Sequence, residues 1–336
     1  MEKKSTKKMI RNFIVFTLLI ILTLWVMLKD QDAGKIFELI GHSEGRFIVV
    51  GMLCMVVYVL LESVNIGRTL KILQEKSTFL KNIKYALIGF FFSGITPAAS
   101  GGQPMQIYYM HKDGISVSNS TLALLINLIS VQITTISVAL ISLLFNYKYL
   151  NKILAIFFVI GVLLNMSALT VLMIAVFSRR LSRWLMKLTL KIMKALRIKN
   201  IEDKIKKIGR ELHNYQLSAK YIKSNKMLML KILGTTLIQF LIFYSVSYWT
   251  YRALGFNDLN ILEITTMQSV LFATVSGIPS PGSVGVSEGA FVEIFRNIYP
   301  EHMIKSATIL NRAISFYLFM AVSGAIVLIN DIRAKE

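Results

Sequence analysis

Residues 276–285 read SGIPSPGSVG and interrupt an apolar segment of the chain that runs from 262 to 298. A helix must break in this stretch, because proline lacks a backbone donor and glycine adopts backbone angles that other residues avoid. The arm before the break, Ile264 to Ile278, is also too short to cross the roughly 30 Å hydrocarbon core of a bilayer. The segment is therefore predicted to be a re-entrant hairpin, which enters a membrane and returns to the same face.

A second stretch of this kind, SGITPAASGG at 93–102, interrupts the apolar segment 85–110. Its first arm, Tyr85 to Ile95, is about 16 Å long at 1.5 Å per residue and reaches only the middle of a bilayer. Each hairpin follows two apolar spans and precedes one. The two halves are therefore predicted to form an inverted repeat, a plan that recurs in transporters with a substrate site where the broken helices meet.

The composition places the whole chain in a membrane. Of its 336 residues, 54% are hydrophobic and only 17% are charged, whereas soluble domains carry about 25% charged residues. Six segments are apolar and long enough to span a bilayer, namely 12–28, 47–66, 119–145, 153–177, 228–251 and 304–329. The first lacks a cleavage site of small residues and is interpreted as a retained signal anchor. The predicted fold is an all-α polytopic membrane protein with about six full spans and two re-entrant broken-helix hairpins.

The basic residues predict the orientation of this fold. With the N-terminus inside, 28 of the 38 Lys and Arg residues lie on the cytoplasmic side and 8 on the other, as the positive-inside rule requires. Both termini are therefore expected in the cytoplasm, and the membrane is expected to be the plasma membrane. We expect one transmembrane domain, 1–336, with a first half 1–150 and a second half 153–336 that includes a basic linker, 178–227.

The net charge of +20 does not predict nucleic-acid binding, because the charges flank membrane segments. Fifteen basic residues lie in the linker 178–227, where apolar residues from Leu181 to Leu196 recur at helical spacing. This linker either lies on the anionic head groups of the inner leaflet or simply joins the two halves. The single cysteine, Cys54, excludes a disulfide framework, and the four histidines lack metal-ligand spacing. No cofactor or metal is predicted.

The broken segments are the candidate binding site. A half-helix that starts after a break presents free N–H groups and a positive dipole end, which suit a phosphate. Such ends are expected at 101–106 and 285–288. The alternative is that glycine and proline only permit packing and kinks. The candidate residues are Thr96, Pro97, Ser100, Gly101, Gly102, Gln103, Pro279, Pro281, Gly282, Gly285, Ser287, Glu288 and Arg312.

Ionisable residues inside a membrane tend to mark function because they are unfavourable there. Three such residues are Glu62, Glu288 and Arg312. Glu62 is expected to reach the membrane interface. Glu288 and Arg312 are expected either to form an ion pair that holds the bundle together or to leave Arg312 available for an anionic lipid head group.

The motifs GITPAASGG at 94–102 and PSPGSVGVSEG at 279–289 resemble those of the membrane domain of lysylphosphatidylglycerol synthase/flippase proteins. The resemblance covers most of the chain in span order. It implies movement of a phospholipid, or of a related lipid-linked anion, between leaflets. Relatives often carry a pair of arginines, one where this chain has Asn127 and one where it has Arg312. Only Arg312 is present here, so the resemblance does not identify the head group.

The leading hypothesis is a lipid translocator that carries out no chemistry and takes an anionic membrane lipid. Bifunctional members of the family carry a soluble aminoacyltransferase domain after the membrane part, and none is apparent after the last predicted span. The alternatives are a phosphatidylglycerol lysyltransferase, which would use lysyl-tRNA, and a non-transporting partner of a lipid-synthesis enzyme.

Overall fold

Apolar helices make up most of the chain. The computed structural model describes residues 34, 38, 40–146, 152–178, 201–278 and 280–333, and these residues contain no strand. In chain order the helices are α1 (Gly45–Ile72), α2 (Phe79–Gly94), α3 (Gly102–Lys112), α4 (Val117–Asn146), α5 (Lys152–Phe177), α6 (Ile201–Ser224), α7 (Lys226–Ala253), α8 (Ile261–Val275), α9 (Val286–Phe295), α10 (Ile304–Arg312) and α11 (Leu318–Arg333).

Five stretches of helix are long and apolar enough to cross a membrane. They are Gly45–Ile72, Val117–Phe145, Lys152–Phe177, Lys226–Ala253 and Ile304–Val327, the last formed by α10, a π-helical segment and α11. They confirm five of the six predicted spans, and the sixth, 12–28, lies outside the described residues. The chain is thus an all-α multi-pass membrane protein. The first half packs against the second mainly through α1, which lies along α7.

The helices α2 and α3 form the first predicted hairpin. At the open end Lys84 Nζ lies 2.6 Å from Asp113 Oδ2, and along the hairpin Gln106 donates to the carbonyl of Tyr85. The two helices are therefore antiparallel, and the chain leaves the hairpin beside the point where it entered. The first arm is longer than predicted because Thr78 caps the backbone N–H of Lys81 and starts α2 at Phe79.

The helices α8 and α9 form the second hairpin. Asn260 and Glu263 cap the start of α8 by exchanging side-chain and backbone hydrogen bonds. Tyr299, just after α9, packs against Tyr251 at the end of α7, with ring centroids 5.7 Å apart. Both ends of this hairpin therefore lie beside the end of α7, whereas the first hairpin opens beside the end of α1. Since α7 starts where α1 ends, the two hairpins enter from opposite faces.

The backbones of the two breaks agree just before a short turn and at its last residue. Each is a short 3₁₀ turn, Pro97–Ala99 in the first hairpin and Pro281–Ser283 in the second. The residue before each turn is extended, with φ −122° and ψ 143° at Thr96 and φ −117° and ψ 146° at Ser280. The last residue of each turn has φ +53°. This agreement supports the internal repeat more strongly than the short sequence match does.

The two turns contact each other in the middle of the bundle. The approach is close at Gly282, where an added Cβ would overlap the ring of Phe316 and lie 3.1 Å from the carbonyl oxygen of Gly94. Gly282 also has φ +58°, which side-chain-bearing residues rarely adopt. A glycine is therefore required where the tips of the hairpins meet.

The described part of the basic linker is docked on the helix bundle. In α6, Ser218 donates to Asn119 of α4, and Tyr215 donates to the carbonyl of Ala175 in α5. Ile222 of α6 is fully buried. This part therefore joins the halves as a packed helix. The amphipathic stretch 181–196 lies outside the described residues, so its contact with head groups stays a prediction.

Impermeant thiol labelling tests the hairpin arrangement. In a Cys54→Ser background, Lys76→Cys and Lys112→Cys flank the first hairpin, and Asn257→Cys and Asn297→Cys flank the second; all four positions are exposed. We expect the first pair to react from one side of the membrane and the second pair from the other. Labelling of Lys76→Cys and Lys112→Cys from opposite sides would show that the first segment crosses the membrane.

The ion pair of Lys84 and Asp113, at the open end of the first hairpin, predicts a pH-dependent contribution to stability. Burial disfavours the charge of Asp113, but hydrogen bonds from Lys84 and Tyr85 outweigh this effect and lower its pKa below the ordinary 3.8. A lowered pKa stabilises the fold above pH 3.8, and this stabilisation is lost as the pH falls through the folded value. Asp113→Asn should therefore destabilise the protein by about 1–3 kcal/mol at pH 7.

Thermal unfolding in detergent measures this difference. We expect the gap in Tm between Asp113→Asn and the wild type to narrow as the pH falls below 3.8. Asp258→Asn is the matched control, because Asp258 forms no ion pair among the described residues. An equal loss of Tm in both variants would contradict the assignment.

Candidate functional site

A cavity of about 200 Å³ lies where the two hairpins meet. It lies between the halves of the protein, since Tyr58 of α1 and Phe243 of α7 line it together with both breaks. Its polar lining residues are Ser93, Gln268, Ser276, Ser280, Ser283, Ser287, Asn311, Arg312 and Ser315. Aromatic rings complete the wall, so the site combines apolar surface with a few convergent polar groups, as small-molecule sites do.

Arg312 is the charged residue that lines this cavity. Its Nε donates to Glu288 Oε1 over 2.9 Å, and its Nη2 donates to the carbonyl of Gly282 over 2.9 Å. The guanidinium carbon also lies 4.3 Å from the centroid of the Phe316 ring. Arg312 is therefore held by one hairpin and by its own helix while it faces the space between the two halves.

Glu288 stabilises the break of the second hairpin. Its Oε2 accepts from the backbone N–H of Gly285, the N-cap of α9, over 2.7 Å. Its Oε1 accepts from Tyr317 as well as from Arg312. The side chain is only 3% exposed. Removing one partner of a buried ion pair destabilises a protein by about 3–5 kcal/mol, because the other charge is left without compensation.

The guanidinium keeps donors that can bind a ligand. Arginine carries five N–H groups, and two of them have a hydrogen-bond acceptor among the described residues. The side chain is 12% exposed, and Arg312 lines the cavity. Three donors are thus available to a phosphate or carboxylate without displacement of Glu288. A bidentate contact of this kind is the geometry that arginine favours with oxyanions.

A hydrogen-bonded network fixes the helices around the cavity. Ser247 of α7 donates to Gln268 of α8 over 2.7 Å and lies 3.2 Å from Asn311 of α10. Thr250 also donates to Asn311. All four side chains are buried, so this network ties α7, α8 and α10 together next to Arg312.

A π-helical segment, Ala313–Tyr317, follows Arg312 directly. Such segments are rare and often occur at functional sites, because the extra residue rotates the helix that follows. Here it places Phe316 against the guanidinium and Tyr317 against Glu288. The register of the last span therefore changes at the ion pair.

In the first hairpin, the residues predicted for the site do not line the cavity. Ser93, Gly94 and Ala99 line it instead. Thr96 accepts from the N–H of Gly101 over 2.8 Å and so caps the start of α3. The other predicted residues of this hairpin form its turn and the start of α3, namely Pro97, Ser100, Gly102 and Gln103.

In the second hairpin, three predicted residues line the cavity, namely Gly282, Ser287 and Arg312. Pro281 starts the turn, and Gly285, with φ +84°, joins the turn to α9. The predicted half-helix ends are present, since α3 starts at Gly102 and α9 at Val286. Pro279 lies outside the described residues.

The sequence prediction missed several residues of the cavity. Ser276, Ser280 and Ser283 lie within the quoted motif but were not selected, and Asn311 and Ser315 flank Arg312 on the last span. The i, i+3 and i, i+4 spacing of helical neighbours around Arg312 is the signal that could have identified Ser315. Gln268 lies in an ordinary apolar helix, and the sequence gives no signal for it.

Two further polar residues lie away from the cavity. Asn127 is buried, and its Oδ1 has no hydrogen-bond partner among the described residues. Glu62 lies beside Gln106 of the first hairpin. Neither residue lines the cavity.

Known proteins resemble the chain over nearly its full length. A UPF0104 membrane protein of Pyrococcus horikoshii is 24% identical over 96% of this chain and 97% of its own length. A UPF0104 membrane protein of Archaeoglobus fulgidus is 20% identical over 87% of this chain and 89% of its own length. The family model described as the lysylphosphatidylglycerol synthase TM region matches residues 13–323. A match of this extent includes both hairpins and the cavity between them, and the chain belongs to the lysylphosphatidylglycerol synthase TM-region family.

Proposed function

We propose that the protein is a lipid translocator that moves an anionic phospholipid, or a lipid-linked anion, between the two leaflets. One observation carries the proposal. Two broken-helix hairpins enter from opposite faces and meet beside a polar cavity that contains Arg312. Broken helices that meet at mid-membrane are the recurrent substrate sites of transporters.

The size of the cavity supports a head group as the part of the lipid that enters. A volume of about 200 Å³ is below the roughly 300–1,000 Å³ of sites that enclose whole ligands. The acyl chains would therefore stay in the hydrocarbon while the head group passes between the hairpins. Such a route removes the main barrier to lipid exchange, which is the transfer of a charged group into an apolar medium.

The ion pair supplies a way to couple the head group to movement of a hairpin. A phosphate that binds the free donors of Arg312 shares the charge of the guanidinium with Glu288 and so weakens the ion pair without displacing Glu288. Glu288 also caps α9 through the N–H of Gly285, so weakening its bond to Arg312 loosens the break of the second hairpin. Substrate binding and rearrangement of the two halves thus depend on one set of hydrogen bonds.

The proposed setting is the plasma membrane with cytoplasmic termini. It rests on the unequal distribution of Lys and Arg residues between the two sides of the chain, because basic loops stay on the cytoplasmic side. Exchange would run down the concentration gradient of the lipid.

Exchange of labelled phosphatidylglycerol in reconstituted vesicles tests the role of Arg312. We expect Arg312→Gln to lower the rate more than about tenfold, because each lost hydrogen bond to a charged group is worth about 1.5–3 kcal/mol. Arg252→Gln is the matched control. Arg252 donates to Tyr248 at the end of α7 and does not line the cavity.

A double variant separates binding from folding. Glu288→Gln combined with Arg312→Gln removes both charges and leaves neither one buried without its partner. If Arg312 binds the head group, this variant should be more stable than Arg312→Gln alone and still fail to exchange lipid. Recovery of exchange in the double variant would show that Arg312 acts only as a structural partner of Glu288.

A further inference from the structure

A second concave site lies on the outside of the second hairpin. It is a groove of about 440 Å³ between the start of α5 and the hairpin formed by α8 and α9. Most of its lining is apolar and two of its residues are charged. Among the lining residues are Ile153, Phe157, Val286, Gly289, Glu293 and Arg296.

The groove extends through about one leaflet. Its deep end is at Val286, where α9 starts next to the break, and its outer end is at Arg296, just after α9. The ten residues of α9 correspond to about 15 Å at 1.5 Å per residue, which is half of the hydrocarbon thickness. Ile153 and Phe157 are exposed by 66% and 49%, so this wall faces lipid.

The two charged residues lie together at the outer end of the groove. Glu293 and Arg296 are one helical turn apart on the same face of α9, and both are exposed. Neither forms an ion pair with any other residue that the structure describes. An apolar channel with a free cation and a free carboxylate at its interfacial end matches the amphipathic plan of a membrane lipid.

We propose that this groove binds one glycerophospholipid of the adjacent leaflet and delivers its head group to the cavity. The phosphate lies on Arg296, and an acyl chain follows the apolar wall toward Val286. A glutamate carboxylate accepts hydrogen bonds, so Glu293 selects a head group with O–H or N–H donors beyond the phosphate. The substrate class is a glycerophospholipid with such donors, and this inference rests on the proposed function.

The groove and the cavity share a wall. Val275 and Ile278 line both of them; Val275 is the last residue of α8, and Ile278 follows it at the start of the break. The head group therefore has to pass only these apolar side chains to reach Arg312. Movement of the second hairpin, which the ion pair restrains, would open this wall.

Photo-crosslinking in nanodiscs tests the groove without any need for transport. The probes are phospholipids with a diazirine on one acyl chain, and the crosslinked peptides are identified by mass spectrometry. We expect crosslinks at residues 153–157 and 286–290. Probes with glycerol or ethanolamine head groups should give at least about fivefold more product than phosphatidylcholine or phosphatidic acid, because the latter two offer Glu293 no distal donor.

Gly289→Leu is the blocking variant. An added Cβ at Gly289 meets no atom within 4 Å, so a side chain fills the groove without a clash in the protein. Gly234→Leu is its control, since Gly234 of α7 is equally open and lies outside the groove. We expect crosslinking at 286–290 to be lost in Gly289→Leu and kept in Gly234→Leu. Arg296→Gln should lower the crosslinking at 286–290, although it leaves the volume of the groove unchanged.

The outcomes separate this inference from the proposed function. Equal crosslinking for all four head groups, or crosslinking that survives Gly289→Leu, would show only that lipid solvates an apolar surface. Either result would overturn the proposal that the groove binds a phospholipid. If crosslinking behaves as expected but the wild-type protein exchanges no lipid, the groove stands and the translocator proposal fails.

Discussion

The backbone at the two breaks has to find hydrogen-bond partners in a part of the membrane that offers almost no water, where each unsatisfied group is unfavourable by several kcal/mol. The protein meets this requirement with its own side chains. Thr96 accepts from the N–H of Gly101, and Glu288 accepts from the N–H of Gly285. Arg312 donates to a carbonyl of the second break and pairs with Glu288. Of these stabilising side chains, Arg312 also lines the cavity, so one residue serves both the break and the candidate site.

The two breaks share part of their backbone conformation but differ in the charge that stabilises them. A neutral hydroxyl, that of Thr96, caps the first, whereas the Glu288–Arg312 pair stabilises the second. A neutral cap keeps its hydrogen bond whether or not a charged ligand occupies the cavity. An ion pair instead weakens when a further charge approaches it, because each buried charge depends on the opposite charge beside it. Under the proposed function, the second hairpin is thus the one whose hydrogen bonds change when the head group binds.

Much of this arrangement could be predicted from the sequence, because it depends on local chemistry. The length of the apolar segments predicts the five described spans, and the proline and glycine residues predict the breaks. The ion pair between Glu288 and Arg312 follows from the unfavourable energy of isolated charges in a membrane. Most of the residues that line the cavity could not be predicted, because their direction depends on how each helix is rotated after its break. Gln268 faces the cavity through the packing of α8, and a π-helical segment resets the register after Arg312.

The relation between the two concave sites constrains how a lipid could cross. The cavity of about 200 Å³ has room for a head group only, while the groove of about 440 Å³ is open along the hydrocarbon. Their common wall consists of Val275, the last residue of α8, and Ile278, just after it. The break that follows is held by the ion pair. The wall and the break that the ion pair holds are adjacent parts of the second hairpin, so under the proposed function one movement of that hairpin would open the wall and release the ion pair.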